Sequence, residues 1–193
     1  MKTACRTEKC LVGESPKVAV CLEFSAIRKV KLSDIAPIFN LIQNCCRSGH
    51  FSNLCLLPPL QTSMALALFS TWIFGKIREP SGNWEKAVLY VIRYKGDFAG
   101  FALVHSLRPA KTSWKISLMA IEEKCRGQGL GRQLLMTIIN NLQDSHTLEC
   151  ECLPKSVPMK SLLHKTGFKS ISPVKAAIHK DEVEKFRLSG NLH

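Results

Sequence analysis

A chain of 193 residues is long enough for one domain with a real core and leaves little room for a second. Apolar residues make up 46% of it and no segment is low-complexity, which excludes an intrinsically disordered chain. Lys and Arg number 27 against 15 Asp and Glu, and the net charge of +12 favours acidic partners: a phosphorylated cofactor, nucleic acid or an acidic protein surface. The plainer alternative is a soluble basic protein with solvated lysines.

Nine cysteines occur, at 5, 10, 21, 45, 46, 55, 125, 150 and 152. Their odd number and the absence of any Cys-x-x-Cys pair argue against a zinc site and against a secreted disulfide framework. Free thiols in a cytoplasmic protein fit best. The opening residues carry Glu8, Lys9, Glu14 and Lys17, too many charges for a signal peptide, and read as a flexible leader over 1–17 followed by one domain over 18–193.

In chain order, residues 18–24 and 26–31 read as short strands. Ser33-Asp34 marks a helix start, with Ile35, Ile38, Phe39, Leu41 and Ile42 at helical spacing and Ser48-Gly49 as its end. The apolar stretch 54–75 is broken by Pro58-Pro59 and Gln61, too short to span a bilayer, and predicts a buried core helix over 62–77 closed by Pro80-Ser81-Gly82. A hairpin follows: strands at 87–94 and 98–107 around Lys95-Gly96-Asp97. The next strand, 114–121, alternates Trp114, Ile116, Leu118 and Ala120 with Lys115, Ser117 and Met119. A glycine-rich turn then leads into a helix with Leu134, Leu135, Ile138, Ile139 and Leu142 on one face. A strand at 147–153, a short helix at 158–165 and Gly167-Phe168 complete a core, and the tail predicts one strand and a polar helix near 181–188. Strands and helices in this order indicate a mixed α/β sheet.

The segment that carries chemistry is Ile121-Glu122-Glu123-Lys124-Cys125-Arg126-Gly127-Gln128-Gly129-Leu130-Gly131-Arg132. A strand ends, three glycines alternate and an amphipathic helix begins. Glycine lets the backbone turn sharply and approach a ligand, and the helix start presents unpaired N–H groups, so together they suit a phosphate or pyrophosphate. Arg126 and Arg132 add positive charge. The Gly-Lys-Ser/Thr ending of a Walker loop is absent, and Gly-x-Gly-x-x-Gly is not met.

The spacing Arg126-x-x-Gly129-x-Gly131 resembles the coenzyme A loop of the GNAT acetyltransferases. Three further segments resemble other parts of that family: Ala26-Ile27-Arg28 with Ser33-Asp34, Phe98-Ala99-Gly100-Phe101, and Leu162-Leu163-His164-Lys165-Thr166-Gly167-Phe168, so the likeness covers about 26–173. It implies a single-domain, mostly antiparallel central sheet flanked by helices, with a splayed strand pair holding acetyl-coenzyme A. Met119, Ala120 and Ile121 would meet the pantetheine arm, and the amides of Gly127, Gln128, Gly129, Leu130, Gly131 and Arg132, with the Arg126 side chain, the pyrophosphate. Ser156 stands where an Asn often occurs. A backbone N–H of the strand would polarise the thioester, and direct attack by an amine needs no protein nucleophile or metal.

The resemblance also implies two proton-transfer roles. Lys115 and Ser117 are not evident bases, which leaves His105, Glu149 or Glu151, although a strand histidine or an alternating Glu pair is more often structural. The family's leaving-group acid is a Tyr, and this chain has Leu163 there; His164 or a water would substitute. The implied activity is acetylation of a primary amine on a small molecule, a protein or aminoacyl-tRNA, with a homodimer a further expectation. The alternative is a catalytically weak or inactive coenzyme-binding module, and a nucleic-acid binder ranks last for want of basic–aromatic interleaving. The apolar segment 51–77, with Phe69 and Trp72, would wall the acceptor site unless both are plain core.

Overall fold

The computed structural model describes residues 25–78, 82–107, 112–142, 145, 147–175 and 182–190. The expected leader over 1–17 and the strand over 18–24 lie outside the described residues. Strand β1 (Ser25–Lys29) opens the described chain, and a 3-10 turn, Leu32–Asp34, leads into helix α1 (Ile35–Arg47). A second 3-10 turn, Asn53–Leu56, precedes helix α2 (Pro58–Phe74). Strands β2 (Lys76–Arg78), β3 (Trp84–Tyr94), β4 (Asp97–Leu107) and β5 (Ser113–Ile121) follow. Helix α3 (Leu130–Asn141), β6 (Thr147–Cys152), α4 (Val157–Lys165), β7 (Lys169–Lys175) and β8 (Glu182–Ser189) complete the order.

The strands form one eight-stranded sheet in the order β1-β3-β4-β5-β6-β8-β7, with β2 paired to β3. Among the described residues only β5 and β6 pair in parallel, joined by the α3 crossover, and every other pair is antiparallel. The sheet buries both faces. On one, α1 and α2 pack Ile38, Ile42 and Leu68 over Leu89, Val91, Phe101 and Leu103. On the other, α3 and α4 pack Leu134, Leu135, Ile138 and Leu163 over Ile92, Val104, Ile116 and Phe186. The apolar faces read from the spacing of α1 and α3 are those buried, except that Phe39 is only partly covered.

Asp34 lies beside the first turn of α1 and is 2% exposed at its side chain. Its carboxylate accepts two bonds from Arg28, at 2.6 and 2.9 Å, and one from the Lys31 amide at 2.8 Å, with Arg93 at 3.6 Å. Burial alone would raise its pKa, but these partners outweigh burial and hold it below the usual carboxylate value.

Three predicted elements differ in the structure. Helix α2 starts at Pro58, because proline's missing N–H and fixed φ suit a first turn, and it stops at Gly75 (φ 61°), not at 80–82. Residues 76–78 are strand β2. Nor is α2 a buried helix: only Leu68 and Thr71 are buried, while Leu66, Phe69, Ile73 and Phe74 are exposed. Among the described residues no helix is long and apolar enough to cross a membrane.

The polar helix expected near 181–188 is strand β8. Phe186 and Leu188 alternate with Lys185 and Arg187, a period of two. Phe186 and Leu188 join the α3/α4 core, while Lys185 and Arg187 reach Glu149 on β6, each at 2.6 Å.

The third difference is a β-bulge. Leu103 pairs with Leu118 and Val104 with Ile116, so Ser117 is an extra residue on β5. The alternation therefore changes phase. Trp114, Ile116, Met119 and Ile121 face α3 and α4, whereas Leu118 and Ala120 face α1 and α2. Gly100 permits the close approach beyond the bulge, since a Cβ there would stand 2.4 Å from the Ala120 carbonyl oxygen.

Candidate functional site

Pairing between β5 and β6 runs from Ser113 with Thr147 to Ile116 with Cys150 and then ends. The strands part at the bulge, and a cavity of about 680 Å³ opens between them. One wall is the edge of β5 from Lys115 to Ile121, and the opposite wall is Cys150 to Leu153. Pro158, Met159 and Leu162 of α4 bound it on one side of the sheet. His50, Phe51, Ser52 and Cys55, from the segment between α1 and α2, bound it on the other.

The glycine segment forms the end of this cavity. Gly127 and Gly129 both have φ of 77°, a backbone region that L side chains rarely adopt. Gly129 caps α3, and the Gln133 N–H makes the bond to the Gly129 carbonyl. The amides of Leu130, Gly131 and Arg132 precede that ladder, as at any helix start, and the positive end of the helix dipole adds to them. Gly131 faces α4 and β5: a Cβ there would lie 3.5 Å from Leu162 and 3.7 Å from Ile121. Arg126 is exposed and its Nε donates to the Ile121 carbonyl at 3.2 Å, tying the loop to the end of β5.

Of the predicted binding residues, Met119, Ala120, Ile121, Arg126, Gly127, Gly129, Leu130, Gly131 and Ser156 line the cavity. Gln128 and Arg132 are exposed on the same loop and helix start and are not part of the lining. Ser156, next to α4, donates through its Oγ to the His50 carbonyl at 3.1 Å, so it joins the two sides of the cavity.

The predicted proton-transfer residues are not brought together. Glu151 lines the cavity and pairs with Lys115 at 2.9 Å. His105 does not line it: the ring is buried on β4 with Nδ1 at 3.0 Å from the Ser106 carbonyl. His164 is exposed on α4 and packs edge-on against Phe186, centroids 5.1 Å apart, again outside the lining. Leu163 is fully buried in the core beside it. Glu149 is engaged by Lys185 and Arg187. Burial would raise its pKa, but those two partners outweigh it and the net shift is downward.

The sequence places the acceptor wall over the apolar segment 51–77, and of that segment Phe51, Ser52 and Cys55 line the cavity. The structure takes only its first part: Phe69 and Trp72 pack edge-on against each other, centroids 6.3 Å apart, and neither lines the cavity. His50 and Cys55 were not read as site residues. They sit just beyond α1 and on a 3-10 turn, where no periodic pattern marks them.

A family profile described as the acetyltransferase (GNAT) family matches residues 60–168. A search of curated protein sequences finds no match. Solved structures agree in fold. An N-acetyltransferase from Staphylococcus aureus Mu50 is 18% identical, with 86% of this chain and 98% of that one covered at a TM-score of 0.66. Spermidine N-acetyltransferase from Vibrio cholerae, solved with CoA and spermine, is 12% identical over 86% and 96% at 0.65. The ribosomal-protein-S18-alanine N-acetyltransferase from Escherichia coli is 16% identical over 86% and 93% at 0.61.

Proposed function

The chain belongs to the GNAT family of acetyltransferases, and on that premise we propose that it is an N-acetyltransferase, moving acetyl from acetyl-coenzyme A to a primary amine by direct attack in a ternary complex. The observation that carries this reading is the parting of β5 from β6 at Ser117, directly upstream of a loop of left-handed glycines at a helix start. An extended, amide-bearing arm needs a strand edge, and a pyrophosphate needs convergent N–H groups. This cavity has both in one line.

The residues present fit the cosubstrate. The β5 edge from Met119 to Ile121 would pair with the pantetheine amides, with Met159 and Leu162 covering its apolar part. The amides from Gly127 to Arg132 would hold the pyrophosphate, and Arg126 and Arg132 would add positive charge. Acetyl-coenzyme A supplies a thioester whose acetyl carbon is the electrophile. A β5 backbone N–H beside the bulge would stabilise charge developing on the carbonyl oxygen, an interaction worth about 3 kcal/mol in comparable sites.

Glu151 is the proposed base. It lines the cavity and pairs with Lys115 at 2.9 Å, beside the β5 edge along which the thioester would lie. His50, in the same lining, is the second group in position to take a proton. With Leu163 in the core and His164 outside the lining, the thiolate leaves without a side-chain acid there, as a group of pKa ~8.5 does tolerably with water. Phe51, Cys55 and Leu118 make the acceptor side largely apolar. A thiol-release assay against small amines, peptides and aminoacyl-tRNA tests the reading and names the acceptor class. Release with one class is expected. Tight acetyl-coenzyme A binding with no release from any class would instead favour a coenzyme-binding module without transfer.

A further inference from the structure

The six described cysteines gather around one place. Cys45, Cys55, Cys125, Cys150 and Cys152 line the cavity, and Cys46 lies fully buried against Cys55. Direct acetyl transfer uses no protein thiol, so the reaction proposed above leaves all six without a role. Two features distinguish Cys55. It is half-buried where the other five are buried, so it is the described cysteine most open to a ligand in the cavity. Its thiol also has the buried Cys46 thiol of α1 as a neighbour of the turn Asn53–Leu56. That neighbour outweighs burial and holds Cys55 down to about 7, while Cys55, with burial, pushes Cys46 up. Burial raises Cys45. Cys150 is raised by the neighbouring Cys152 thiol and by burial. Cys152 is lowered by the Cys150 thiol beside it but is only 3% exposed.

We propose that Cys55 is a covalent capture site for coenzyme A, taking the coenzyme's thiol as a mixed disulfide on the wall of the cavity that holds the acetyl donor. This rests on the coenzyme reading of the cavity. The co-reactant is a coenzyme A disulfide. The Cys55 thiolate attacks one of its sulfurs, a Cys55–S–S–coenzyme bond forms, the coenzyme's own S–S bond breaks, and the second coenzyme leaves as a thiolate. Cys55 is oxidised and the departing coenzyme reduced. The proton released when Cys55 ionises is available to the departing thiolate through solvent. Cys46 is a positioning residue: its S–H stabilises the attacking thiolate and stays reduced. The adduct fills the cavity and stops transfer, and excess thiol reverses it by the same exchange.

The test incubates the purified full chain with coenzyme A disulfide, or in parallel with glutathione disulfide, and follows intact mass and peptide maps. Acetyl-coenzyme A, which cannot form a disulfide, is titrated alongside. One coenzyme per chain on the Cys55 peptide is expected, with loss of acetyl-coenzyme A binding that dithiothreitol restores. The reaction should run about tenfold faster than with glutathione disulfide, because the cavity holds the nucleotide portion. Cys55→Ser and Cys55→Ala should both lack the adduct, and mapping in the parent chain depends on neither variant folding. Cys46→Ala should keep the site but move the pH midpoint of the reaction up toward the ordinary thiol value of ~8.5. An adduct on Cys45, Cys125 or Cys152 instead, equal rates with both disulfides, or an unmoved midpoint in Cys46→Ala would overturn the proposal. If acetyl-coenzyme A binds and no adduct forms, capture is refuted and the coenzyme reading stands; if acetyl-coenzyme A does not bind, the coenzyme reading fails and capture with it.

Discussion

Replacing Gly129 by Ala isolates what the loop geometry contributes. Gly129 has φ of 77° and a Cβ added there meets no atom within 4 Å, so the substitution introduces backbone strain and no collision. Holding an L residue in the left-handed region costs about 1–2 kcal/mol. That strain has two outlets. If the loop keeps its shape in the free protein, stability falls by about that amount and coenzyme affinity is unchanged. If the free loop relaxes, binding must restore the turn, and affinity falls by roughly five- to thirtyfold, the equivalent of 1–2 kcal/mol. The exposed loop, with Gly127 and Gly129 both open to solvent, favours the second outlet. Denaturant unfolding and calorimetric titration with acetyl-coenzyme A on the same preparation measure the two parts. A variant with parental stability and parental affinity would refute the claim that this turn shapes the phosphate end of the cavity.

Glu151→Gln keeps the size of the side chain and removes the base. The turnover number should fall by about two to four orders of magnitude while acetyl-coenzyme A affinity holds, and unchanged turnover would shift the role to His50. Asp34→Asn breaks a buried ion pair and should cost about 3 kcal/mol in denaturant unfolding at neutral pH. Because Asp34 is lowered in the folded state, its contribution is complete above the unfolded value near ~3.9 and is lost as pH falls through the folded value. The parent should therefore lose stability in that acid range and the variant lose less. Leu163→Tyr places a phenol where the resemblance puts a leaving-group acid, but Leu163 is fully buried in the core. We expect a loss of about 1–3 kcal/mol from overpacking and no gain in turnover; a rise in turnover would show that the side chain reaches the cavity.

The glycine turn and the helix after it were legible because glycine spacing reports directly on backbone conformation: Gly127 and Gly129 have positive φ, and the helix after them has its apolar face at regular spacing. The same local logic placed the β3–β4 hairpin and the helices α1, α3 and α4. What depended on pairing between distant strands was not legible. An alternating run from Trp114 to Ala120 gives no sign of an extra residue, and only the register against β4 shows that Ser117 bulges and reverses the faces. The charged alternation of β8 reads as a polar helix until Glu149 on β6 is set opposite Lys185 and Arg187. His105 and His164 were read from their sequence neighbours, the strand before β5 and Leu163, and their place outside the cavity lining is a property of the assembled sheet and core. Cys55 and His50 were missed for the converse reason. They stand in a short irregular segment whose position is fixed by the packing of α1 and by Ser156 from across the cavity.

The central claim is that acetyl-coenzyme A occupies the space between β5 and α4 that begins at Gly131. A calorimetric titration of the parent chain and of Gly131→Leu tests it most directly, since a Cβ at Gly131 meets only side-chain atoms at 3.5 Å or more and its longer branch would fill the cavity. The account predicts one-to-one binding by the parent, none by Gly131→Leu, and a cooperative unfolding transition in both. Equal binding by the two proteins, or no binding by the parent, would contradict it.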